Sequence, residues 1–481
     1  MFAGFAFAKC IFLLEVAFLH AFLPISLKPS PSFDQISLSK TAPVPSSEKN
    51  VQSAIAKEDN ELPLASEIVS ESVESLRTVF EVIDSQTKFN MKRVLESFRK
   101  HKVGSEMFGG MDGYGNGDIG RDTIDLIYAD IFGSEKALVR SQCFSGTHAI
   151  ACCLFGVLRP SEKMLACSGK PYDTLEEVIG LRGSRDEQQM IGSLKDFNIG
   201  YSEVPLTSES TFDLNAIDEA ISSDATIKLL HVQRSCGYQW RKSIPIHEIE
   251  KFCTHIRTKW ASRPELVIFV DNCYGEFVEE KEPTMVGADI VAGSLIKNPG
   301  GTIVRSGGYI AGRSKYVDAA ANRLSAPGVV GGASFGQNRF LYQGLFMAGS
   351  IVGESLKGAH LLSHVMGAYF DFPTNPLPFE KRTDIIQSIA LGSREKVLKF
   401  CQVVQRLSPI NAHYRPEPGL TSGYGDEVIF ADGCFTDGST LELSMDGPLR
   451  EPYAVYAQGC VHWSHWAIIL EEALVEMKLA S

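Results

Sequence analysis

Short apolar runs alternate with helical patterns between Arg140 and Gly312, and this alternation constrains the fold more than any other feature of the sequence. Parallel strands need long crossover connections, which are usually helices. The pattern is therefore typical of an α/β domain with a mostly parallel sheet. The segments 150–158 and 246–259 are predicted helices. The predicted strands are 163–165, 227–231, 266–270, 290–292 and 308–311.

Two ionisable residues end neighbouring strands of this predicted sheet. Asp271 follows the run 266–270, and Lys297 lies in a loop rich in Gly, Pro and Ser after the run 290–292. Ligands of such sheets bind at the carboxyl ends of strands. A lysine amine bonds to aldehydes, and a carboxylate keeps a pyridine nitrogen protonated, so the pair predicts pyridoxal 5′-phosphate (PLP) as cofactor. We expect partial burial to lower the pKa of Lys297. The ordinary alternatives are a surface lysine and a turn aspartate.

A run of small residues before the apolar segment 150–158 is suited to binding a phosphate. Ser145, Gly146 and Thr147 open the predicted helix, where backbone N–H groups are free to bind an anion. An ordinary helix cap is the alternative interpretation of the same residues. Ser294, which lies three residues before the lysine, is a further predicted phosphate ligand. Tyr172 is predicted to cover the cofactor ring, although tyrosines more often pack in a core.

Three further residues are candidates for binding anions. Tyr114 lies in the glycine-dense segment 109–117, which cannot form a regular element, and Arg121 follows it. Arg450 lies in a loop bounded by prolines, which suits capture of a substrate carboxylate. A surface salt bridge and a structural arginine at a domain seam are the alternatives. The chain has no Cys-x-x-Cys pair, so we expect no metal site.

The bulk composition is that of a globular protein with a large core. The chain has 481 residues, of which 44% are hydrophobic and 22% charged, enough for two or three domains. Its net charge of −12 argues against nucleic acid or an anionic membrane as partner. The 11 cysteines show no framework spacing, which indicates free thiols in a reducing compartment.

The N-terminus differs from the rest of the chain. Residues from Met1 to Ile25 are mostly apolar, and a stretch rich in Ser, Pro and Lys follows. We interpret residues 1–60 as a targeting or disordered extension that is not part of the fold. The hydroxylated composition favours an organelle, with the plastid first and the mitochondrion, the secretory pathway or the cytoplasm as alternatives. For the mature domain we expect no membrane.

The remaining chain divides into three predicted segments. Residues 61–110 form an N-terminal helical arm, 111–360 a large PLP-binding domain, and 361–481 a smaller C-terminal α+β domain. In the small domain we predict a helix at 383–407, strands near 428–430 and 440–443, and a last helix from about Trp463.

Three longer runs resemble one family of PLP enzymes. They are VDNCYGEF at 270–277, GSLIKNPGG at 293–301 and DGPLREPY at 446–453. Together with the order Ser-Gly-Thr-x-Ala, Tyr, Asp, Ser-x-x-Lys, they resemble the methionine γ-lyase-related aluminium resistance family, which is cystathionine β-lyase-like. The resemblance covers roughly residues 64–481. One departure is Cys236, in a position where the family tends to carry a basic residue.

The resemblance implies fold-type I of the PLP-dependent enzymes and a homodimer or homotetramer with active sites at the subunit seam. It implies that Tyr172 stacks on the cofactor and that Ser294 binds its phosphate. It also implies that Tyr114 and Arg121 of a neighbouring subunit hold the phosphate, although their spacing is longer than the group's Tyr-x-Arg.

These observations predict a PLP-dependent carbon–sulfur lyase that acts on a small-molecule sulfur amino acid such as cystathionine or methionine. Elimination would be of the α,β or α,γ type, with Lys297 moving the α-proton and Tyr172 protonating the departing sulfur. An aldolase-type cleavage of a β-hydroxy amino acid is an alternative, because the same Lys and Asp would serve it. A PLP-binding stress or regulatory protein with little turnover is another alternative.

Overall fold

The computed structural model describes residues 63–182, 192–329, 331–421 and 423–479. The predicted extension 1–60 lies outside these residues. The helices are α1 (Ala65–Ser75), α2 (Arg77–Lys100), α3 (Ile119–Ile131), α4 (Gly146–Val157), α5 (Asp173–Ile179), α6 (Leu214–Ser223), α7 (Ile246–Lys259), α8 (Ser314–Leu324), α9 (Asn338–Ser363), α10 (Arg394–Arg406) and α11 (Ser464–Glu476). The strands are β1 (Lys136–Arg140), β2 (Lys163–Ala166), β3 (Gly200–Glu203), β4 (Ile227–Gln233), β5 (Val267–Asp271), β6 (Ile290–Ser294), β7 (Gly308–Gly312), β8 (Thr374–Asn375), β9 (Gln387–Ala390), β10 (Gly419–Leu420), β11 (Glu427–Asp432), β12 (Ser444–Pro448) and β13 (Ala454–Gln458).

Seven strands form one sheet in the order β1-β7-β6-β5-β4-β2-β3. β7 is antiparallel to both of its neighbours, and the other neighbouring pairs are parallel. The mostly parallel sheet that the alternation predicts is thus confirmed. Asp271 at the end of β5 is in register with Ala292 of β6. The loops that follow these two strands therefore leave the sheet at the same edge.

The central strands of this sheet are buried along their whole length. Every residue of β5, β6 and β7 is buried, as expected for strands that helices cover on both faces. On one face α4 packs against α8, and Leu154, Phe269 and Ile310 belong to the same hydrophobic core. Elsewhere in the core, the rings of Tyr128 and Tyr309 lie 5.8 Å apart. This rigid centre fixes where the ends of β5 and β6 lie.

Six strands form a second sheet in the order β10-β11-β12-β13-β9-β8, and all neighbouring pairs are antiparallel. Helix α10 packs on β11 and β12, and α11 packs against α10. The predicted helical arm comes before both sheets in the chain. Its helix α2 packs along α9. The exact domain limits at residues 110 and 360 stay predictions.

The predicted helix at 383–407 is wrong in its first half. Residues Gln387–Ala390 form β9, which pairs with β13 on one side and β8 on the other. All four residues of β9 are buried, so strand pairing overrides the local helical pattern. Gly392 follows with a φ of 74°, a left-handed conformation that interrupts the helix. Ser393 then caps α10, and the helix begins only at Arg394.

The predicted strand at 440–443 is also misplaced. The strand in this region, β12, runs over Ser444–Pro448. The shift matters because the loop at 438–440 and the first residues of β12 line the candidate site described below. Within the four described ranges, no helix is both long and apolar enough to cross a membrane.

Arg234, which follows β4, is fully buried and joins the elements behind the site. Its Nη1 donates to Asn272 Oδ1 and to the Gly275 carbonyl, each at 2.9 Å, and its Nη2 donates to Glu279 Oε2 at 2.7 Å. Glu279 Oε2 also accepts from the Ile246 N–H at 3.0 Å. A buried charge is tolerated only when it is paired and hydrogen-bonded. The network therefore ties the end of β4 to the loop that follows β5.

We expect Arg234→Met to lower the free energy of unfolding by about 3–5 kcal/mol, because the buried Glu279 carboxylate loses its closest cation. Denaturant unfolding followed by circular dichroism measures the change. Arg394→Met is the matched control, since Arg394 and its partner Glu427 are both about half exposed. The control is expected to cost about 1 kcal/mol or less. Equal losses in the two variants would contradict the structural role of Arg234.

Candidate active site

A cavity of about 270 Å³ lies where the loops after β5 and β6 leave the first sheet. Residues of the second sheet, from β11 and β12, complete its wall. Most of the residues that the sequence predicts for the site line this one cavity. They are Ser145, Gly146, Thr147, Tyr172, Asp271, Ser294 and Lys297.

Lys297 lies directly before the short 3₁₀ turn Asn298–Gly300 and is partly buried. Its ammonium lies over the ring of Tyr274, with Nζ 3.8 Å from the ring centre. Burial by itself lowers the pKa of Lys297, but the facing Tyr274, Cys273 and Asp271 outweigh it and raise the pKa above its ordinary value. The expectation of a lowered pKa is therefore wrong for the protein alone. The sequence places these three residues in one motif but does not show that they face the Lys297 amine.

Asp271 is 7% exposed and lines the same cavity as Lys297. Its Oδ1 accepts a hydrogen bond from the Cys273 N–H at 3.1 Å. Burial raises the pKa of the Asp271 carboxyl above its ordinary value, and the charge of Lys297 works in the opposite direction. A buried carboxylate gains most from a cation or a charged N–H group placed against it.

The loop between Asp271 and Tyr274 is held by groups outside it. Tyr274 has a φ of 72°, an uncommon conformation for a residue with a side chain. Asn298, the residue after the lysine, donates from Nδ2 to the carbonyls of Tyr274 at 2.9 Å and Glu276 at 3.0 Å. The two loops that carry the aspartate and the lysine are thus bonded to each other. Tyr274 and Asn298 both lie in the motifs that suggested the site, although sequence analysis did not single them out.

Helix α4 begins at the cavity. Ser145 caps it, accepting at Oγ from the His148 N–H at 3.2 Å. A Cβ added to Gly146 would lie only 3.0 Å from Cβ of Ser294, so the helix start and the end of β6 are in close approach. The first N–H groups of a helix have no partner within the helix and attract anions. Ser294 and the start of α4 together bring a hydroxyl and free helix N–H groups to one side of the cavity, where they could bind a phosphate.

Tyr172 is held in the cavity from both ends. Its N–H donates to Gln233 Oε1 at 2.5 Å, and its hydroxyl is hydrogen-bonded to the Tyr424 hydroxyl at 2.9 Å. Burial, followed by the neighbouring Tyr424, raises the pKa of Tyr172 well above its ordinary value. The hydroxyl is therefore neutral near pH 7. Sequence analysis missed Tyr424, which lies far along the chain in a segment without a motif.

The three remaining predicted residues lie outside this cavity. Tyr114 is 75% exposed, and Arg121 donates to the Gly332 carbonyl at 2.7 Å and pairs with Asp122. Arg450 Nη1 pairs with Asp426 Oδ2 at 2.6 Å.

Arg450 lines an adjoining cavity of about 200 Å³. Cys236, where the chain departs from the family pattern, lines it too. Tyr172 and Gln233 line both cavities, so the adjoining one borders the site directly.

Asp446 is a further cavity residue that sequence analysis quoted in a motif but did not propose for the site. It lies in β12, in register with Phe430 of β11, and is 8% exposed. Its Oδ2 accepts from the Tyr238 hydroxyl and from Gln458 Nε2, both at 2.8 Å. Burial raises the pKa of the Asp446 carboxyl to about 6. The cavity thus contains two buried carboxylates from two different sheets.

The residues present fit PLP. Asp271 is placed to face a protonated ring nitrogen, Lys297 offers an amine, and the start of α4 with Ser294 offers N–H and hydroxyl groups to a phosphate. No ion is needed to explain these residues.

Comparison with known proteins agrees with this arrangement. A family model described as Methionine gamma-lyase matches residues 65–478. The uncharacterized protein YnbB of Bacillus subtilis is 48% identical over 385 residues, which are 80% of this chain and 89% of that protein. A solved structure of a carbon-sulfur lyase involved in aluminum resistance from Clostridium novyi has 41% identity and a TM-score of 0.80, and the match covers 86% of this chain and 96% of that chain.

The fold is also that of more distant proteins. The PLP-dependent protein YhfS from Escherichia coli has a TM-score of 0.54 at 16% identity, over 82% of this chain and 97% of that chain. This likeness shows the fold alone. The predicted fold class and the predicted resemblance are both confirmed.

The predicted plastid location is wrong. The similar proteins come from bacteria, among them Bacillus subtilis and Clostridium novyi, and bacteria have no plastids. The prediction rested on the composition of the N-terminal extension, which lies outside the described residues. Apolar and hydroxylated stretches are a compositional signal that several kinds of segment share.

We expect Asp271→Asn to weaken PLP binding by roughly 10- to 150-fold, because a charge-assisted hydrogen bond contributes about 1.5–3 kcal/mol. Titration of the apoprotein with PLP, followed by absorbance, gives the dissociation constant without any assay of turnover. Asp318→Asn on α8 is the control, since its side chain is half exposed and pairs with Lys136 at the surface. Unchanged affinity in Asp271→Asn would contradict the assigned role.

Proposed function

The chain belongs to the methionine gamma-lyase family, and from this premise we propose that it is a PLP-dependent carbon–sulfur lyase acting on a sulfur amino acid of the cystathionine or methionine type. Its fold is that of PLP-dependent enzymes, and the similar Clostridium novyi protein is a carbon-sulfur lyase. The substrate and the type of reaction, whether α,β- or α,γ-elimination, are proposed.

One observation carries the proposal. Lys297 and Asp271 line a single cavity together with the start of α4. Each of these groups has a separate use in binding PLP, and an unrelated function would leave their convergence unexplained. The buried scaffold of Arg234 and Asn298 holds both loops in place, so the arrangement does not depend on a substrate to form it.

When bound, PLP supplies an electron sink for the charge left at the substrate Cα after loss of its proton. Lys297 would hold the cofactor and move the α-proton, because a free lysine amine is a stronger base than the carboxylates that share the cavity. Asp271 keeps positive charge on the cofactor ring nitrogen. For β-elimination the balance is thioether amino acid plus water giving thiol, 2-oxo acid and ammonium. The C–S electron pair leaves with sulfur, which then takes up a proton.

Tyr172 is proposed to deliver the proton to the departing sulfur. Its hydroxyl is neutral and hydrogen-bonded to Tyr424, so the second hydroxyl shares the charge that develops as the proton leaves. Arg450 is proposed to bind the substrate carboxylate from the adjoining cavity. It would exchange part of its pairing with Asp426 for the bidentate contact that arginine makes with carboxylates.

The phosphate requires cations that one protomer does not bring to the cavity. Among the described residues that line it, Lys297 is the one cation. We propose that Tyr114 and Arg121 of a second subunit complete the phosphate site in a homodimer or homotetramer. The 75% exposure of Tyr114 supports this, because such an aromatic side chain gains by burial against another chain.

Lys297→Ala is expected to lower kcat by at least about 10²–10⁴-fold, the contribution of a positioned proton-transfer group. Borohydride treatment followed by peptide mass spectrometry tests the covalent role separately. The wild-type peptide that contains Lys297 should carry the reduced cofactor, and the variant should carry none. A reduced cofactor attached to the variant protein would show that another lysine holds PLP.

Product analysis decides the reaction class. With L-cystathionine or L-methionine we expect a thiol, ammonium and a 2-oxo acid in equal amounts. Release of glycine and an aldehyde from a β-hydroxy amino acid would instead favour the aldolase alternative. A protein that holds PLP on Lys297 but releases neither set of products would favour a binding role with little turnover.

A further inference from the structure

The wall that the second sheet contributes to the active-site cavity carries negative charge. Asp446 and Asp432 both line it, in addition to Asp271 of the first sheet. Lys297 is the one cation among the described residues of the lining, and the proposed chemistry already uses it together with Asp271. Asp446 and Asp432 are therefore left with no counter-charge of their own in the cavity.

Asp446 is presented as a fixed ligand rather than as a free surface group. Both hydrogen bonds that the structure gives it, from the Tyr238 hydroxyl and from Gln458 Nε2, go to Oδ2. Asp446 is 8% exposed, yet it lines the cavity. These bonds fix the side chain and leave Oδ1 for a group that enters the cavity.

Aromatic rings surround the same space. Tyr172, Tyr274, Tyr424 and Phe430 all line the cavity. Tyr424 packs on Phe430 with ring centres 5.6 Å apart, and on Tyr238 at 5.7 Å with the planes inclined by 28°. Faces of aromatic rings attract cations, and the attraction is strongest where water is excluded.

Two buried hydroxyls on this wall have no hydrogen-bond partner within the described part of the chain. They are Thr440 Oγ1 and Ser444 Oγ, and both residues line the cavity. Thr440 is 9% exposed and Ser444 3% exposed. Buried polar groups are normally hydrogen-bonded, so two unpartnered hydroxyls in residues that line a cavity favour a polar occupant over an apolar one. They form a second observation that is independent of the carboxylates.

We propose that Asp446 and the surrounding rings bind an ammonium group carried by the leaving thiol of the substrate. The inference deepens the proposed function and rests on it. A carboxylate with aromatic neighbours recognises a cation, whereas an apolar S-alkyl group would leave Asp446 buried without compensation. The preferred substrates are thioether amino acids whose departing half bears an amine. Thioethers with a plain alkyl group, such as methionine, are the disfavoured class.

Two pairs of compounds isolate the charge from size and shape. S-(2-aminoethyl)-L-cysteine and S-propyl-L-cysteine differ only in a terminal ammonium or methyl group, and both contain a C–S bond. L-lysine and L-2-aminoheptanoic acid are the corresponding pair with carbon in place of sulfur. The holoenzyme cannot cleave a C–S bond in the second pair, so calorimetry gives their dissociation constants directly.

For wild-type holoenzyme we expect kcat/KM for the aminoethyl compound to exceed that for the propyl compound by about 30-fold or more, as for a desolvated cation on aromatic rings and a carboxylate. L-lysine should bind more tightly than L-2-aminoheptanoic acid by a similar factor. In Asp446→Asn both preferences should fall to about threefold or less, mainly through KM, because the amide keeps the shape but loses the charge. The PLP absorbance spectrum should be unchanged.

Glu427→Gln is the matched control, because Glu427 lies on the same sheet but pairs with Arg394 at the surface. It should keep both preferences. Tyr238→Phe is the second test variant, since it removes one of the two donors that fix Asp446, and it should lower both preferences severalfold. It keeps the proposal testable if Asp446→Asn does not fold.

The outcomes separate this inference from the proposed function. If neither thioether releases a thiol but L-lysine still binds preferentially in an Asp446-dependent way, the lyase proposal fails and the ammonium site stands. If thiol is released from both thioethers at equal efficiency, the lyase stands and the ammonium site fails. Preferences that survive in Asp446→Asn would also overturn the role of this residue.

Discussion

The buried guanidinium of Arg234 is the interaction on which the site depends most. It bonds to Asn272, to the Gly275 carbonyl and to Glu279, so one side chain fixes three points behind the loop that carries Asp271 and Tyr274. Without such bonds the left-handed backbone at Tyr274 would relax, since it costs energy that its surroundings must supply. The Tyr274 ring under the Lys297 ammonium is therefore positioned by Arg234, which does not line the cavity.

Two opposing requirements apply to the protonation state of the Lys297 amine. Its neighbours favour the ammonium, yet a bond to an aldehyde requires the neutral amine. Formation of that bond therefore requires that the ammonium lose its proton. Among the described residues that line the cavity, Lys297 is the one cation, and in the proposed assembly a second subunit would supply the others.

The site residues of the first sheet could be predicted from the sequence. The cavity wall that the second sheet contributes could not. Asp271 and Lys297 were predictable because parallel strands carry their following loops to one edge, a rule that needs only strand order. The strand β9 was not predictable, since its helical local pattern is overridden by pairing with β13 and β8. Asp446 was equally hidden, because its place in the cavity depends on its register with Phe430 and Tyr456.

This division between sheets separates two tasks. In the proposed reaction, residues of the first sheet and its loops would hold the cofactor and move protons, and their positions follow from the rigid parallel core. In the proposed reaction, residues of β11 and β12 would face the departing half of the substrate, and they belong to an antiparallel sheet on which α10 packs. A substitution at Asp446 can therefore change which thiol leaves while the Lys297–Asp271 pair stays in place. In this proposal, charge on the second sheet selects the departing thiol of the substrate, and the cofactor site does not.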